Sequence, residues 1–210
     1  MALDHQEQEQ IESLKSWWRD HGNQVLLIIS AVLIAIAAWR GWNWYQSRQA
    51  LQASVLYEVL TKAVETGDAK TMRDAGGELA EKYPGTLYAS MAALVSARFY
   101  FDRHDDKSAE AQLRWVLERS SSDNFKDIAR LRLAAILLDE RSYGEALKLA
   151  DAKHAAAYDA QYAALKGDIL AAQHQTAAAR AAYQLALDKA GAQDDAFRES
   201  VRMRLEALGG

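Results

Sequence analysis

The sequence predicts an all-α protein in which one N-terminal transmembrane helix is followed by an α-solenoid of repeated helix pairs. Three observations lead to this fold class. The 210 residues include one proline and eleven glycines, a composition that favours helix almost throughout. A long uncharged run lies near the N-terminus. The rest of the chain has helical periodicity and an internal spacing that recurs about every 34 residues.

The first element is an acidic tail, residues 1–20. It carries five acidic residues against two basic ones: Asp4, Glu7, Glu9, Glu12 and Asp20 against Lys15 and Arg19. The small residues "AIAA" at positions 35–38 resemble a signal-peptide cleavage site. A secretory signal peptide, however, begins with a short basic segment. We therefore expect the tail to be retained rather than cleaved.

Residues 21–45 are predicted to form the transmembrane helix. The eighteen residues from Gly22 to Trp39 carry no full charge. As a helix they would extend about 27 Å, close to the ~30 Å hydrocarbon core of a bilayer. The alternative is a buried core helix of a soluble protein, but such helices rarely stay apolar on every face over this length.

Tryptophans flank the run on both sides. Trp18 and Trp39 would lie about 31 Å apart along a helix axis, and indole rings prefer the headgroup level of a bilayer. The residues predicted to anchor the helix at the two membrane interfaces are Trp17, Trp18, Trp39, Arg40, Trp42 and Trp44. Lys15 and Arg19 on one side nearly balance Arg40 and Arg48 on the other, so charge counting leaves the orientation open.

The stretch after the span continues with helical periodicity and no proline. Apolar residues expected to share one face are Leu51, Val55, Leu56, Val59, Leu60, Ala63 and Val64. Gly67 is predicted to end this helix. Residues 50–82 would then form a first, divergent helix pair of a repeat domain that covers residues 46–210.

Three further helix pairs share one spacing of small residues. Each first helix has a small residue that is followed twelve positions later by an alanine of the second helix: Ala97 and Ala109, Ala134 and Ala146, Gly167 and Ala179. In the last copy Tyr183 and Ala186 follow, as Leu113 and Val116 do in the first. Small residues at both marks would let the paired helices approach closely, and the larger residues would pack on the next repeat.

This pattern resembles the tetratricopeptide repeat, a helix–turn–helix unit of about 34 residues. The copies are degenerate, since Arg130 and Ala163 stand where the repeat has an early tryptophan. A generic helical bundle is the alternative. "DAFRESVRMRLEALGG" is predicted to form a final helix that caps the stack. Ser142 and Glu145 have the spacing of a capping box at a helix start.

No pattern in the chain favours catalysis or a cofactor. Cysteine is absent, the five histidines lack metal-ligand spacing, and no phosphate-binding glycine loop occurs. The densest polar cluster is Asp102–Asp106, which is expected to be an inter-helix turn with Asp105 or Asp106 capping the next helix; a divalent-cation site is the alternative. "SSSD" at 120–123 is expected to cap a helix. The net charge of -4 argues against nucleic acid as a partner.

A repeat stack offers a concave surface lined by its first helices, which suits an extended or helical polypeptide. Helical register predicts a protein-binding groove with three residues from each of three first helices: Leu94, Arg98 and Phe101; Leu131, Ala135 and Leu138; Gln161, Ala164 and Asp168.

The combination of acidic tail, "IESLKSWWRDHG", a span ending "AWRGWNWYQSRQ" and a degenerate repeat domain beginning "ASVLYEVLTKAV" resembles the YfgM family, the single-span ancillary subunit of the bacterial Sec translocon. The resemblance is sharpest over residues 11–65. It implies a non-enzymatic scaffold in the inner membrane, with the tail in the cytoplasm and the repeats in the periplasm.

The partners that the resemblance implies are the Sec translocon channel, a membrane-anchored periplasmic chaperone of the prolyl-isomerase-like type, and newly translocated polypeptides. The resemblance also implies a cytoplasmic stress-response regulator as a partner, whereas contact with the lipid bilayer is predicted by the apolar run itself. The expected role is to bring translocated proteins to periplasmic chaperones. The alternative function is that of an assembly factor for another envelope or cytochrome complex, since repeat domains on membrane anchors also serve such tasks.

Overall fold

The computed structural model describes residues 2–191 and 193–209, with side chains from Gln10 onward, and all regular structure in this part of the chain is helical. The helices are α1 (Ala2–Thr66), α2 (Ala69–Lys82), α3 (Leu87–Phe101), α4 (Asp106–Arg119), α5 (Asp123–Asp139), α6 (Tyr143–Ala150), α7 (Asp159–Ala172), α8 (Thr176–Lys189) and α9 (Asp195–Ala207), with a short 3₁₀ turn at Ala156–Tyr158. The predicted all-α class is confirmed. The chain divides into two units, Met1–Gln49 and Ala50–Gly210.

The first unit consists of the N-terminal part of α1. This helix is long and apolar enough to cross a membrane, and none of its most apolar 18-residue stretch is buried. Large apolar side chains point outward around the helix, with Leu27, Leu33 and Ile34 at least 61% exposed. A core helix of a soluble protein would bury such residues. The exposure on all sides is what a helix solvated by lipid requires.

The second unit is a stack of helix pairs. Residues 50–66 of α1 share a buried core with α2. Helix α3 pairs with α4, α5 with α6 and α7 with α8, and α9 packs on α8. The first helix α5 packs against both α3 and α7, as stacked repeats do. The small residues at the six predicted marks are all buried: Ala97, Ala109, Ala134, Ala146, Gly167 and Ala179. The interpretation of these marks as sites of close helix packing is confirmed.

One expectation for α1 is corrected. Leu51, Val55 and Val59 are 65%, 58% and 41% exposed. The face turned to the repeat core instead carries Ala53, Leu60 and Ala63, which are buried, with Leu56, Tyr57 and Val64 beside them. Each helical residue advances about 100°, so Leu51 lies about 180° from Leu60. Seven apolar residues in this stretch therefore cover more than one face.

Four first helices end in the same way. Gly67, His104, Arg141 and His174 all have φ between 59° and 76°, and successive positions are 37, 37 and 33 residues apart. At each end the next residue donates back to the carbonyl five residues earlier, for example from Asp68 N to Ala63 O at 2.8 Å. This is the Schellman arrangement, which satisfies otherwise unpaired carbonyl groups. The predicted end of α1 at Gly67 is confirmed.

Helix starts also match most predictions. Asp105 caps α4 by accepting from Ser108 N, and Ser122 caps α5 by accepting from Phe125 N. The turn between α3 and α4 is thus the inter-helix turn expected for Asp102–Asp106. The predicted helix start at Ser142 is confirmed, since Ser142 directly precedes α6, but the capping box is wrong because Ser142 makes no side-chain hydrogen bond there. The carboxylate of Glu145 instead accepts from Arg114 of α4, at 3.4 Å.

A buried carboxylate fixes the segment between α6 and α7. Asp127 of α5 is 2% exposed, pairs with Arg130 and accepts from the backbone N–H of Ala155 at 3.0 Å. The Tyr162 hydroxyl donates to the same carboxylate, and the ring of His154 stacks on Tyr162 at 3.8 Å. Burial raises the pKa of Tyr162 to about 12. One aspartate therefore connects α5, the segment 151–158 and α7.

The buried residues form two core clusters. The larger one extends from α1 to the middle of α7, where it includes Leu165 and Ile169. The smaller one joins α7, α8 and α9 around Tyr183, Ala186 and Val201. Leu147 of α6 packs against both clusters. The last helix thus contributes Val201 to a separate core and packs on α8. Its role as a cap of the stack stays a prediction.

Candidate functional site

A cavity of about 430 Å³ opens between three first helices of the repeat unit. Its apolar lining comes from the end of α1 and from one face of α3: Tyr57, Val64, Met91, Leu94, Val95 and Phe99. Its charged lining is Arg98, Asp102 and Arg103 at the end of α3, and Arg132 of α5. The cavity lies on the side of the stack that first helices line, which is where a polypeptide-binding groove was expected.

A second cavity of about 120 Å³ lies between α3, α4 and α5. Its lining is mainly apolar, with Ala97, Phe101, Leu113, Ala135 and Ile136. Arg98 and Arg132 line both cavities. We call the two cavities together the Arg132 groove.

Three arginines of the groove have different partners. Arg98 pairs with Asp102 one turn later, at 2.8 Å. The Arg103 guanidinium carbon lies 3.5 Å from the centre of the Phe99 ring, a cation–π contact. Arg132 donates to the backbone carbonyl of Leu94 at 3.2 Å and makes no ion pair with any residue that the structure describes. Burial by the surrounding helices lowers the pKa of Arg132, and the positive charge of Arg98 lowers it further.

The structure brings four of the nine predicted groove residues to this groove. Leu94, Arg98 and Phe101 of α3 and Ala135 of α5 line one or both cavities. Leu94 is buried and forms the floor, whereas Arg98 and Phe101 are exposed. The register predicted for α3 therefore places all three of its residues at the same concave surface.

The other five predicted residues lie elsewhere. Leu131 and Leu138 are half-buried and pack against the larger core cluster. On α7, Ala164 is buried in the smaller cluster, and Gln161 is half-buried with a carbonyl oxygen that has no hydrogen-bond partner among the described residues. Asp168 accepts from the Tyr183 hydroxyl at 2.8 Å and from Arg204 of α9 at 2.8 Å, so it ties α7 to the last two helices.

Sequence reasoning missed Arg132, Arg103, Tyr57 and Val64 as groove residues. The face of α5 that lines the groove carries Arg132, Ala135 and Ile136, so it begins one position after the predicted Leu131. A signal was present in the sequence: Arg132 interrupts an otherwise apolar stretch of α5 at helical spacing from Ala135. The α1 residues could not be placed because the solvent-facing side of that segment is apolar as well.

The six predicted interface anchors all lie on α1, and the side chains of all six are exposed. Trp17, Trp18, Trp39, Trp42 and Trp44 are 48% to 66% exposed. Trp17 stacks on His21 at 5.5 Å, and Arg48 lies over the Trp44 ring at 5.1 Å. Their role as membrane anchors, together with that of Arg40, stays a prediction.

Comparison with known proteins finds relatives that are similar to this chain over nearly its whole length. Curated relatives among them bear the name ancillary SecYEG translocon subunit. The relative from Neisseria gonorrhoeae is 29% identical over 99% of this chain and 100% of its own length. The relative from Escherichia coli is 28% identical over 99% of both chains. The relative from Haemophilus influenzae is 27% identical over 99% of this chain and 100% of its own length. No solved structure matches the chain.

The similarity of these relatives over nearly their full length confirms the resemblance to the YfgM family. Their shared name describes a subunit of a translocon and indicates no enzymatic activity. The family model for the tetratricopeptide repeat-like domain matches residues 15–210, which is well over half of the chain. The chain therefore belongs to the tetratricopeptide repeat-like domain family.

Proposed function

We propose that this protein is a single-span inner-membrane subunit that associates with the Sec translocon. The observation that carries the proposal is the extent of the similarity to the ancillary translocon subunits, which covers the spanning helix and the repeat unit together. A likeness confined to the repeats would support only a generic binding domain. The exposed apolar helix at the N-terminus supports location in a membrane.

In this proposal residues 1–20 lie in the cytoplasm and residues 46–210 in the periplasm. The repeat unit would bind translocated polypeptides, a membrane-anchored periplasmic chaperone, or both in turn, and so connect the channel exit to chaperones. The Arg132 groove supports a binding role, because a concave surface with an apolar floor and a charged rim suits a polypeptide. Tethering by the span raises the effective concentration of the groove near the channel, so modest affinity suffices.

The association is tested by copurification. Full-length protein with an affinity tag is extracted in mild detergent, and the eluate is probed for channel subunits. The matched control replaces residues 21–45 with an unrelated apolar helix of the same length, which keeps the protein in the membrane. We expect the channel to copurify with the natural span and to be depleted with the replacement. Absence of the channel from the first eluate would contradict the proposal, and its retention after removal of residues 1–48 would argue against a role for the span.

The binding role of the groove is tested by site-specific photo-crosslinking in cells. Phe101 is replaced by a photoreactive phenylalanine derivative, which preserves an aromatic ring at an exposed groove position. The control places the same group at Met203 of α9, which is 58% exposed and lies outside both cavities. We expect crosslinks to translocated polypeptides or a chaperone from Phe101 and not from Met203. Equal crosslinking from both positions would show that the groove is not the binding surface.

The orientation is tested by protease protection. In right-side-out vesicles the repeat unit should be digested, and in inverted vesicles it should be protected. The reverse pattern would place the repeats in the cytoplasm and overturn the proposed role at the channel exit.

The tryptophans at the end of the span offer a finer test. Trp39 and Trp42 lie on one side of α1, since three residues span about 300° of a helical turn. Replacing both with leucine keeps the helix apolar while removing the indole rings. Weaker channel association would indicate a contact with protein at this face. Unchanged association would show that the two rings serve only as an anchor.

A further inference from the structure

The Arg132 groove has a charge opposite to that of the protein as a whole. The chain has a formal net charge of -4, yet the large cavity is lined by three guanidinium groups and a single carboxylate. Asp102, the one acidic residue of the lining, is already paired with Arg98. The groove therefore presents uncompensated positive charge to whatever enters it.

Arg132 is solvent-exposed and, unlike Arg98 and Arg103, has neither a carboxylate nor an aromatic partner among the described residues. A guanidinium group carries five N–H donors in a planar fork. For Arg132 the structure describes one hydrogen bond, to the Leu94 carbonyl, and no carboxylate within ion-pair distance among the described residues. The surrounding helices desolvate Arg132 in part, and Arg98 on the adjacent helix adds like-charge repulsion; both lower the pKa of Arg132. An anion bound by both arginines would offset the like-charge repulsion between them.

The surroundings of Arg132 restrict what that anion can belong to. Arg132 lies where the two cavities meet, and both cavities are otherwise largely apolar. The larger is walled by Tyr57, Leu94 and Phe99, and the smaller by Leu113 and Ile136. A free inorganic anion would leave these walls uncovered. A polypeptide with an acidic residue between two apolar residues would fill all three places.

We propose that the Arg132 groove recognises a glutamate or aspartate side chain that is flanked by apolar side chains in a partner polypeptide. The carboxylate accepts hydrogen bonds from Arg132 and Arg98, and the apolar neighbours enter the cavities on either side. A planar guanidinium group can bind a carboxylate with two parallel hydrogen bonds, which gives geometric selectivity as well as affinity. This inference rests on the proposed function, for which it names the chemistry of the bound segment.

The test compares two labelled synthetic peptides that differ in one atom group. Both have a central residue between leucines, and that residue is glutamate in one peptide and glutamine in the other. Binding to the full chain in nanodiscs is measured by fluorescence anisotropy, with empty nanodiscs to subtract lipid binding. We expect the glutamate peptide to bind about tenfold more tightly, as charge-assisted hydrogen bonds in a partly desolvated site provide.

Variants of Arg132 assign the preference to this residue. Arg132→Met should bind both peptides equally, at the level at which the natural chain binds the glutamine peptide. Arg132→Lys keeps the charge without the fork and should keep part of the preference. The matched control is Arg202→Met on α9, where an exposed arginine paired with Glu199 is removed far from the groove lining; its preference should be unchanged. Circular dichroism melts establish that each variant is folded.

Three results would overturn the inference: equal binding of the two peptides by the natural chain, no binding of either peptide, or a preference that survives in Arg132→Met. These failures are distinguishable from failure of the proposed function. If crosslinks from Phe101 to a translocated polypeptide or chaperone persist while the glutamate preference is absent, the groove binds polypeptides by another chemistry. If both tests fail, the groove is not a binding surface.

Discussion

The ring of Tyr183 on α8 lies against the bare Cα of Gly167 on α7: a Cβ atom built on Gly167 would come within 2.5 Å of the Tyr183 ring carbons Cδ1 and Cε1. No real Cβ contact is that short, so one of the two helices would have to move. The Tyr183 hydroxyl is also held, since it donates to Asp168 one residue after Gly167. The ring therefore cannot swing away without losing that hydrogen bond.

Gly167→Ala should consequently destabilise the protein, although alanine is the better helix former. Overpacking of this kind costs about 1 to 3 kcal/mol. The matched control is Gly144→Ala on α6, where an added Cβ meets nothing within 4 Å; it should be neutral or stabilise by about 0.4 to 1 kcal/mol. Thermal melts by circular dichroism measure both. A higher melting temperature for Gly167→Ala would show that the space between Gly167 and the Tyr183 ring can accommodate a methyl group.

At the residues with positive φ that follow the first helices, substitution by glycine should stabilise the protein. His104, Arg141 and His174 adopt positive φ, which costs a residue with a Cβ about 1 kcal/mol relative to glycine. Replacing each with glycine should raise the melting temperature. Gly67→Ala, at the equivalent position after α1, should lower it. If the glycine variants melted lower than the natural chain, the exposed side chains would be making contacts that offset the backbone strain.

Asp127 should be among the residues least tolerant of truncation. Asp127→Ala leaves Arg130, the Ala155 N–H and the Tyr162 hydroxyl without their buried partner. Removing one member of a buried ion pair costs about 3 to 5 kcal/mol. The exposed Asp123→Ala, four residues earlier on α5, should change stability by at most about 0.5 kcal/mol. Hydrogen exchange should show that residues 151–158 lose protection in Asp127→Ala. Unchanged protection there would mean that the segment is held by other contacts.

Asp168 predicts a specific dependence of stability on pH. Burial raises the pKa of this carboxyl group, and the hydrogen bonds from Tyr183 and Arg204 offset the shift only in part. The folded state thus holds the proton more tightly than the unfolded state. The resulting stabilisation is present below the ordinary carboxyl pKa and is lost as the pH rises through the raised value.

Asp168→Asn removes this titration. Its stability relative to the natural chain should therefore improve when the pH is raised from about 4 to about 7. Thermal melts of both proteins at both pH values measure the difference. A relative stability that worsens with rising pH would show that the ion pair with Arg204 outweighs the cost of burial.

Features of the fold that are determined by neighbouring residues in the sequence could be predicted, whereas those that depend on packing between helices could not. The spanning helix and the end of α1 at Gly67 follow from runs and single residues, and the structure agrees with both. The equivalent ends at His104, Arg141 and His174 carry no glycine. Their conformation comes from backbone hydrogen bonds of the helix itself, so residue type alone did not reveal it.

The residues that line the groove were harder to predict, because they depend on the rotation of each helix about its axis. On α3 the predicted residues Leu94, Arg98 and Phe101 all line the Arg132 groove. On α5 a shift of one position separates Leu131, which packs on the core, from Arg132, which lines both cavities. Such a shift rotates a side chain by about 100°. Only the packing of neighbouring helices determines it.

The division of the core into two clusters implies that the molecule need not lose its order in one event. The Arg132 groove is built on the larger cluster, whereas α8 and α9 are held mainly by the smaller one. In a linear array each unit depends chiefly on its neighbours. The C-terminal end can therefore lose its order while the groove remains formed, so a destabilising change at Val201 should affect α8 and α9 first. The shape of the Arg132 groove thus does not depend on the order of the C-terminal helices.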